Sequence, residues 1–206
     1  MTTRTLAVVS GGLRQPSSTR LLADRLTAAT VDALRDLDVD ATVEVVELRD
    51  HAHDLTNHLL TGFASDELRA AEDTVAGADG VIAVTPIFSA SYTGLFKTFF
   101  DVLEEDALTG VPVLIAATAG TERHSLALDH ALRPLFAYLR SVVVPTGVFA
   151  ASGDWGVGGD AGGALASRID RAAAQLAALV AGAPPREVAD PYDAPTPFEE
   201  LLRGGG

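Results

Sequence analysis

The sequence predicts an α/β fold, a doubly wound parallel sheet of five strands with helices covering both faces. Three observations lead there. Short apolar runs without polar alternation recur along the chain, as in strands buried on both sides. Stretches with apolar residues at helical spacing separate them, the signature of βαβ units. The segments that follow the first, third and fourth runs are rich in small residues, and in such a sheet a ligand sits beyond the carboxyl ends of the strands.

Residues 4–10 form the first apolar run, which breaks at Gly11 and Gly12. A helix is expected over 17–37, with Leu22, Leu26, Ala29, Ala33 and Leu37 on one face and Asp24, Arg25, Asp32 and Arg35 elsewhere. Residues 42–48 return to strand, and 49–63 are polar, His-bearing and irregular or short-helical. A helix over 65–77 feeds a strand at 81–84. A loop at 85–92, a helix over 94–103 and a strand at 112–117 follow. Next come a loop at 118–123, a helix over 124–140 and the fifth strand at 142–149. Residues 151–163 read as a loose Gly-rich connector, and 164–181 as an Ala-rich closing helix. With no internal repeat, residues 1–182 make one domain, and 183–206, holding Pro184, Pro185, Pro191, Pro195 and Pro197, an extended tail.

Composition narrows the function. The 206 residues hold 15 Lys and Arg against 28 Asp and Glu, a formal charge of −13. Hydrophobic residues make up 48%, which excludes a disordered or collagen-like chain. The isoelectric point near 4.6 argues against nucleic acid, whose phosphates need clustered cations. No window approaches the roughly 18 apolar residues of a membrane span. No basic segment with a cleavage site opens the chain, so the expected location is the cytoplasm. The absence of Cys removes disulfides, thiolate nucleophiles and iron–sulfur clusters, so any redox chemistry must come from a bound cofactor.

The first loop, 10–20, reads Ser-Gly-Gly-Leu-Arg-Gln-Pro-Ser-Ser-Thr-Arg. Ser17, Ser18 and Thr19 crowd hydroxyls at a helix N-terminus, where free N–H groups and the macrodipole favour an anion. Arg14 and Arg20 add charge-assisted donors suited to a phosphate monoester. Ordinary N-capping by Ser17 or Ser18 is the plainer alternative, but a cap needs only one hydroxyl. The loop is neither a Walker A sequence nor a dinucleotide fingerprint. The second loop runs from Thr85 to Gly94, where Phe88 and Tyr92 offer flat surfaces to a heterocycle or are simply core or interface aromatics. In the third, Thr118, Ala119 and Gly120 leave the backbone open to a planar ring, and His124 either faces that crevice or caps a helix. Lys97 and Asp101 read as a helix-surface pair. His51, His53 and His58 match no metal-ligand spacing and read as a polar lid or interface loop, so no metal site is assigned. Trp155 packs on a subunit neighbour or shields the ligand.

Together the loops resemble those of the NAD(P)H-dependent FMN reductase family, which has a flavodoxin-like fold. The first loop is similar to its Gly-Ser-x-Arg-x-x-Ser-x-Asn phosphate loop, with Gly12 where Ser and Thr19 where Asn is frequent. The run from Thr85 to Lys97 is similar to Pro-x-Tyr/Phe-x-x-Ser-Tyr-x-Gly-x-x-Lys. The run from Ala117 to Phe136 resembles the branch that serves two-component flavin monooxygenases of the alkanesulfonate and luciferase-like types. The resemblance covers about 4–150 and implies strand order 2-1-3-4-5. It implies that Ser10, Arg14, Ser17, Ser18 and Thr19 hold the FMN phosphate, that Pro86, Ile87, Phe88 and Ser89 meet the isoalloxazine edge, and that Thr118, Ala119 and Gly120 lie below the ring. Hydride would pass from NADH or NADPH to flavin N5, and reduced FMN would leave for a partner monooxygenase. No catalytic side chain is then required. A homodimer or homotetramer built on the helix after the second loop is also implied, as is a π-bulge in the helix of His130. A flavodoxin-like electron carrier is the alternative, although its Thr-x-Thr-Gly-x-Thr loop is absent. A quinone or azo reductase is the other, although Ile87 and Ser89 replace the Glu and Asn of that branch.

Overall fold

The computed structural model of the chain describes residues 2–155 and 160–184. Strands β1 (Thr2–Ser10), β2 (Val39–Glu47), β3 (Gly80–Phe88) and β5 (Pro112–Ala119) form a parallel sheet in the order β2-β1-β3-β5. Helices α1 (Ser18–Arg35), α2 (Ala52–Thr61), α3 (Asp66–Ala76), α4 (Gly94–Val102), α5 (Arg133–Tyr138) and α6 (Asp160–Gly182) connect or follow them.

The expected fifth strand is interrupted. β6 (Val142–Val143) pairs with Pro112 and Val113, and β7 (Val148–Ala151) pairs with Ala116 to Ala119 of the same neighbour. Pro145, which has no N–H to give to a ladder, stands between them. Counted as one broken edge strand, they keep the order 2-1-3-4-5. A further two-residue strand, β4 (Ser91–Tyr92), brings the sheet to seven strands rather than five. β4 arises because β3 runs on through residues expected to be loop. The chain turns at Ser89 (φ 47°) and Ala90 (φ 69°) and pairs back antiparallel on Ile87 and Phe88. Two left-handed residues suit a two-residue hairpin, but neither is the Gly or Asn that would signal one.

The two sheet faces bury different chemistry. Leu6, Val8, Ile82 and Leu114 pack under Leu22 and Leu26 of α1 and Leu176 and Val180 of α6, an aliphatic layer. On the opposite face Val9, Ala83 and Ile115 meet Phe96, Phe99, Phe100 and Phe136. The Phe100 ring lies 4.8 Å from Phe96 and 4.9 Å from Phe136, centroid to centroid.

Two helix expectations need correction. The buried stripe of α1 is Thr19, Leu22, Ala23, Leu26, Thr30 and Leu34, and Leu37 lies past the helix end, 48% exposed. Thr30 is tolerated in the core because its hydroxyl donates to the Leu26 carbonyl at 2.8 Å. The single helix expected over 124–140 is instead a 3₁₀ turn at Glu122–His124, a π-helical turn at Leu128–Leu132 and the short α5. The π turn contains His130, where the resemblance implies a bulge. No helix among the described residues is long and apolar enough to cross a membrane. The tail expectation concerns residues that lie, from 185 onward, outside those described.

Candidate active site

The carboxyl ends of β1, β3 and β5 bring the three expected loops to one cleft of about 780 Å³, a size that suits a small-molecule cofactor. Arg14, Ser17, Ser18 and Thr19 form one wall. Pro86, Ile87 and Phe88 form another, and Thr118, Ala119 and Gly120 the floor between. Among the described residues no carboxylate lines the cleft, although the protein carries −13, and Arg14 is the single charged side chain that does.

The end at α1 is a set of donors. The Ser17 hydroxyl caps the helix, accepting from the Arg20 N–H at 3.2 Å. Thr19 and Thr118 hydroxyls, both buried, hydrogen-bond each other at 2.8 Å and tie the first loop to the third. Gly12 fits the packing around Ser17: a Cβ there would lie 2.2 Å from Ser17 Oγ and 3.3 Å from Thr19 Cβ unless the Ser17 hydroxyl turned away. The space a serine at position 12 would take is therefore filled by Ser17. Arg14 is exposed and has no ion-pair partner among the described residues.

Arg20 behaves differently from the sequence expectation. Its Nε donates to Asp24 and its Nη1 to Glu47, each at 2.7 Å, and it does not line the cleft. Its hydrogen bonds to Asp24 first and Glu47 second raise its pKa above the ordinary arginine value. Ser10 and Ser89 also stand off the cleft wall. Ser10 is fully buried at the end of β1, between Glu47 and Val84 in register, and its hydroxyl has no partner among the described residues. Ser89 is the first residue of the hairpin turn.

At the other end Phe88 is 51% exposed along the cleft. The buried Thr85 braces its strand exit: its hydroxyl donates to the Pro86 carbonyl at 3.0 Å and accepts from the Thr93 N–H at 3.4 Å. Tyr92 and His124 do not line the cleft, and the Tyr92 ring packs 6.0 Å from Phe96 in the aromatic layer. The His-bearing segment holds a local tie, His58 Nδ1 to Glu72 Oε1 at 3.0 Å, which joins α2 to α3.

Of the two alternatives for Trp155, a place at the ligand cleft is the one its position fits, and sequence reasoning missed Ser152 beside it. Both, on a 3₁₀ turn after β7, line the cleft together with Pro86 and Phe88. The Arg25 guanidinium sits 5.0 Å over the Trp155 ring, and Asp154 fixes the turn by accepting from the Ala151 N–H at 2.8 Å and from Arg168 at 3.3 Å. A bulky aromatic amid Gly-rich sequence was the available signal. A larger groove, about 1060 Å³, separates α4 from the π turn and α5 and is lined by Tyr92, Lys97, His130 and Tyr138. It contains acidic side chains, Asp101 and Glu105, whereas no carboxylate among the described residues lines the smaller cleft, which suits an anion better. Free N–H groups, hydroxyls and one unpaired guanidinium at one end, with apolar and small residues along the rest, fit a flat molecule carrying a phosphate monoester.

Comparisons with known proteins agree with that chemistry. Residues 4–156 match the family model of NADPH-dependent FMN reductases. The FMN reductase (NADPH) of Pseudomonas aeruginosa is 39% identical over 177 residues, spanning 86% of this chain and 92% of that one. The NADH-dependent FMN reductase SfnE of Pseudomonas putida is 36% identical over 178 residues, again 86% and 92%. Among solved structures, an oxidoreductase from Corynebacterium diphtheriae superposes with a TM-score of 0.86 at 48% identity, covering 89% of this chain and 100% of that one. A flavodoxin, WrbA-like protein from Agrobacterium tumefaciens, at 15% identity and TM-score 0.53 over 87% and 96% of the two chains, shares the fold. With the model spanning three quarters of the sequence and relatives matched over most of their length, this chain belongs to the NADPH-dependent FMN reductase family.

Proposed function

We propose that the cleft receives FMN with its phosphate at the α1 N-terminus, and that the enzyme reduces it at the expense of NADH or NADPH. The observation that carries this reading is the open donor set around Arg14, in a cleft that no carboxylate among the described residues lines. When bound, FMN supplies the hydride acceptor, its N5. The chain's part is to bind and orient. Arg14 offers a charge-assisted fork to the phosphate, and Ser17, Ser18 and Thr19 add hydroxyls and helix N–H groups. Pro86, Ile87 and Phe88 flank the ring edge, with Ser89 turning the hairpin behind them, while Thr118, Ala119 and Gly120 line the floor beneath it. Ser10, with its unpartnered hydroxyl, backs the phosphate loop. The exposed apolar edge of Phe88 and the rim at Trp155 exclude water from one side and leave the other open for a nicotinamide.

The curated relatives named above divide between NADPH and NADH, so both nucleotides are proposed as co-substrates. Transfer of reduced FMN to a flavin-dependent monooxygenase, a cytoplasmic location and a homo-oligomer seated on α4 complete the reading. The groove beside α4, bordered by the 83% exposed Tyr138, supports the last.

The test is steady-state nicotinamide oxidation with FMN, FAD or riboflavin as acceptor, together with flavin binding. Many turnovers of free FMN are expected, where an electron carrier would show a retained flavin and none. Arg14→Ala is expected to weaken FMN by about tenfold or more and riboflavin little, since a hydrogen bond to a charged group contributes about 1.5–3 kcal/mol. Equal loss for both flavins overturns the phosphate assignment.

A further inference from the structure

We infer that Glu47 and Asp24 set the strength of flavin binding by holding Arg20 away from the phosphate. The inference rests on the reading that the flavin phosphate sits at Arg14 and the N-terminus of α1. Arg20 occupies the first turn of α1, three residues after the Ser17 cap, where a cation opposes the macrodipole but stands beside any anion bound there. A small pocket of about 300 Å³ adjoins the cleft at this point, and Arg14, Ser17 and Leu21 line both. The guanidinium of Arg20 lies in that side pocket with Asp24 and Glu47, and both carboxylates hold it at 2.7 Å. Glu47 comes from the last residue of β2, so the diversion is tertiary and not just a helix-surface pair.

The other nearby cation is engaged as well. Arg49 pairs with Asp50 at 3.2 Å and, with the Gln15 amide turned so that its oxygen faces the guanidinium, bonds the Gln15 side chain at 2.5 and 3.1 Å. Of three arginines around the phosphate loop, Arg14 alone is left uncommitted among the described residues. One free guanidinium instead of two makes the hold on the phosphate moderate. That suits an enzyme whose flavin must come and go as substrate and product, and Asp24 and Glu47 are then specificity-setting residues that act through Arg20 without touching the flavin.

The experiment measures dissociation constants of FMN and riboflavin by quenching of flavin fluorescence, on the full-length protein. The variants are Arg20→Ala, Glu47→Gln, the pair Asp24→Asn with Glu47→Gln, and that pair with Arg20→Ala. Arg20→Ala alone is expected to change FMN affinity less than twofold. The pair is expected to bind FMN about tenfold more tightly with riboflavin unchanged, and to lose that gain when Arg20 is also removed. Unaltered FMN affinity in the pair overturns the inference, and so does a gain that persists without Arg20, which would mean general charge removal. Arg14→Ala measured alongside separates the two ideas. If it weakens FMN selectively while the pair changes nothing, the phosphate site stands and the diversion falls; if it affects both flavins equally, both fall.

Discussion

At the start of β1 the buried Arg4 donates through Nη1 to Asp79 at 3.2 Å and through Nη2 to the Ala183 carbonyl. Asp79 in turn accepts from the Thr5 N–H at 2.8 Å and gives its own N–H to the Thr5 carbonyl at 2.9 Å. Six residues on, at the finish of the same strand, Ser10 is equally buried yet its hydroxyl has no partner among the described residues, and Arg14 beyond it stands unpaired. Both ends lie in one continuous parallel ladder. At the first, the Arg4 Nη atoms and Asp79 close on one another and join the ends of the described chain, although the buried Arg4 Nε has no hydrogen-bond partner among the described residues. At the second, one buried hydroxyl has no partner and one guanidinium is left to solvent beside the cleft. Polar groups that have their partners serve the fold, and an open set beside a cleft is available to a ligand.

Breaking the closed end should affect stability alone. Arg4→Met removes one partner of a buried ion pair and is expected to lower stability by about 3 kcal/mol, seen as a lower Tm, with FMN affinity unchanged. A parallel loss of FMN affinity in the still-folded variant would mean the two ends are coupled. Gly12→Ala attacks the open end. Its Cβ forces Ser17 out of its rotamer, so the loss of a helix cap, about 1 kcal/mol, should accompany a clear weakening of FMN. An unshifted Tm with normal binding would show that Ser17 has another place to go. Ser10→Ala sharpens the comparison most and changes least. Removing an unsatisfied buried hydroxyl should leave the Tm unchanged or slightly raised, and because Ser10 backs the phosphate loop without lining the cleft, FMN affinity is expected to fall by no more than about fivefold, the worth of one neutral hydrogen bond. A lower Tm would mean that Ser10 belongs to the fold and not to the site.

Much of this was legible from local pattern. The uninterrupted apolar runs placed β1, β3 and β5, and topology alone selected the three loops that meet in the cleft. The resemblance also carried the π turn around His130, which helical periodicity hid, because Leu128 and Leu132 are buried in either geometry. What escaped was decided at a distance. Arg20 looks like a phosphate ligand until β2 brings Glu47 beside it, 27 positions along the chain. Trp155 looked like part of a connector until α1 presented Arg25 to its ring. The hairpin at Ser89 and Ala90 carries no glycine or asparagine to announce its left-handed pair. Leu37 continues the apolar spacing of α1 numerically, but the helix has ended before it.

The interruption at Pro145 has a consequence for how copies of this protein can meet. One border of the sheet offers only the stubs of β6 and β7, with no continuous row of amides and carbonyls for a stranger to zip onto. The opposite border, β2, is long but turns Asp40 and Glu44 to the solvent. Among the described residues neither margin invites an added strand, and the sheet is guarded against the edge-on stacking by which β-rich chains precipitate.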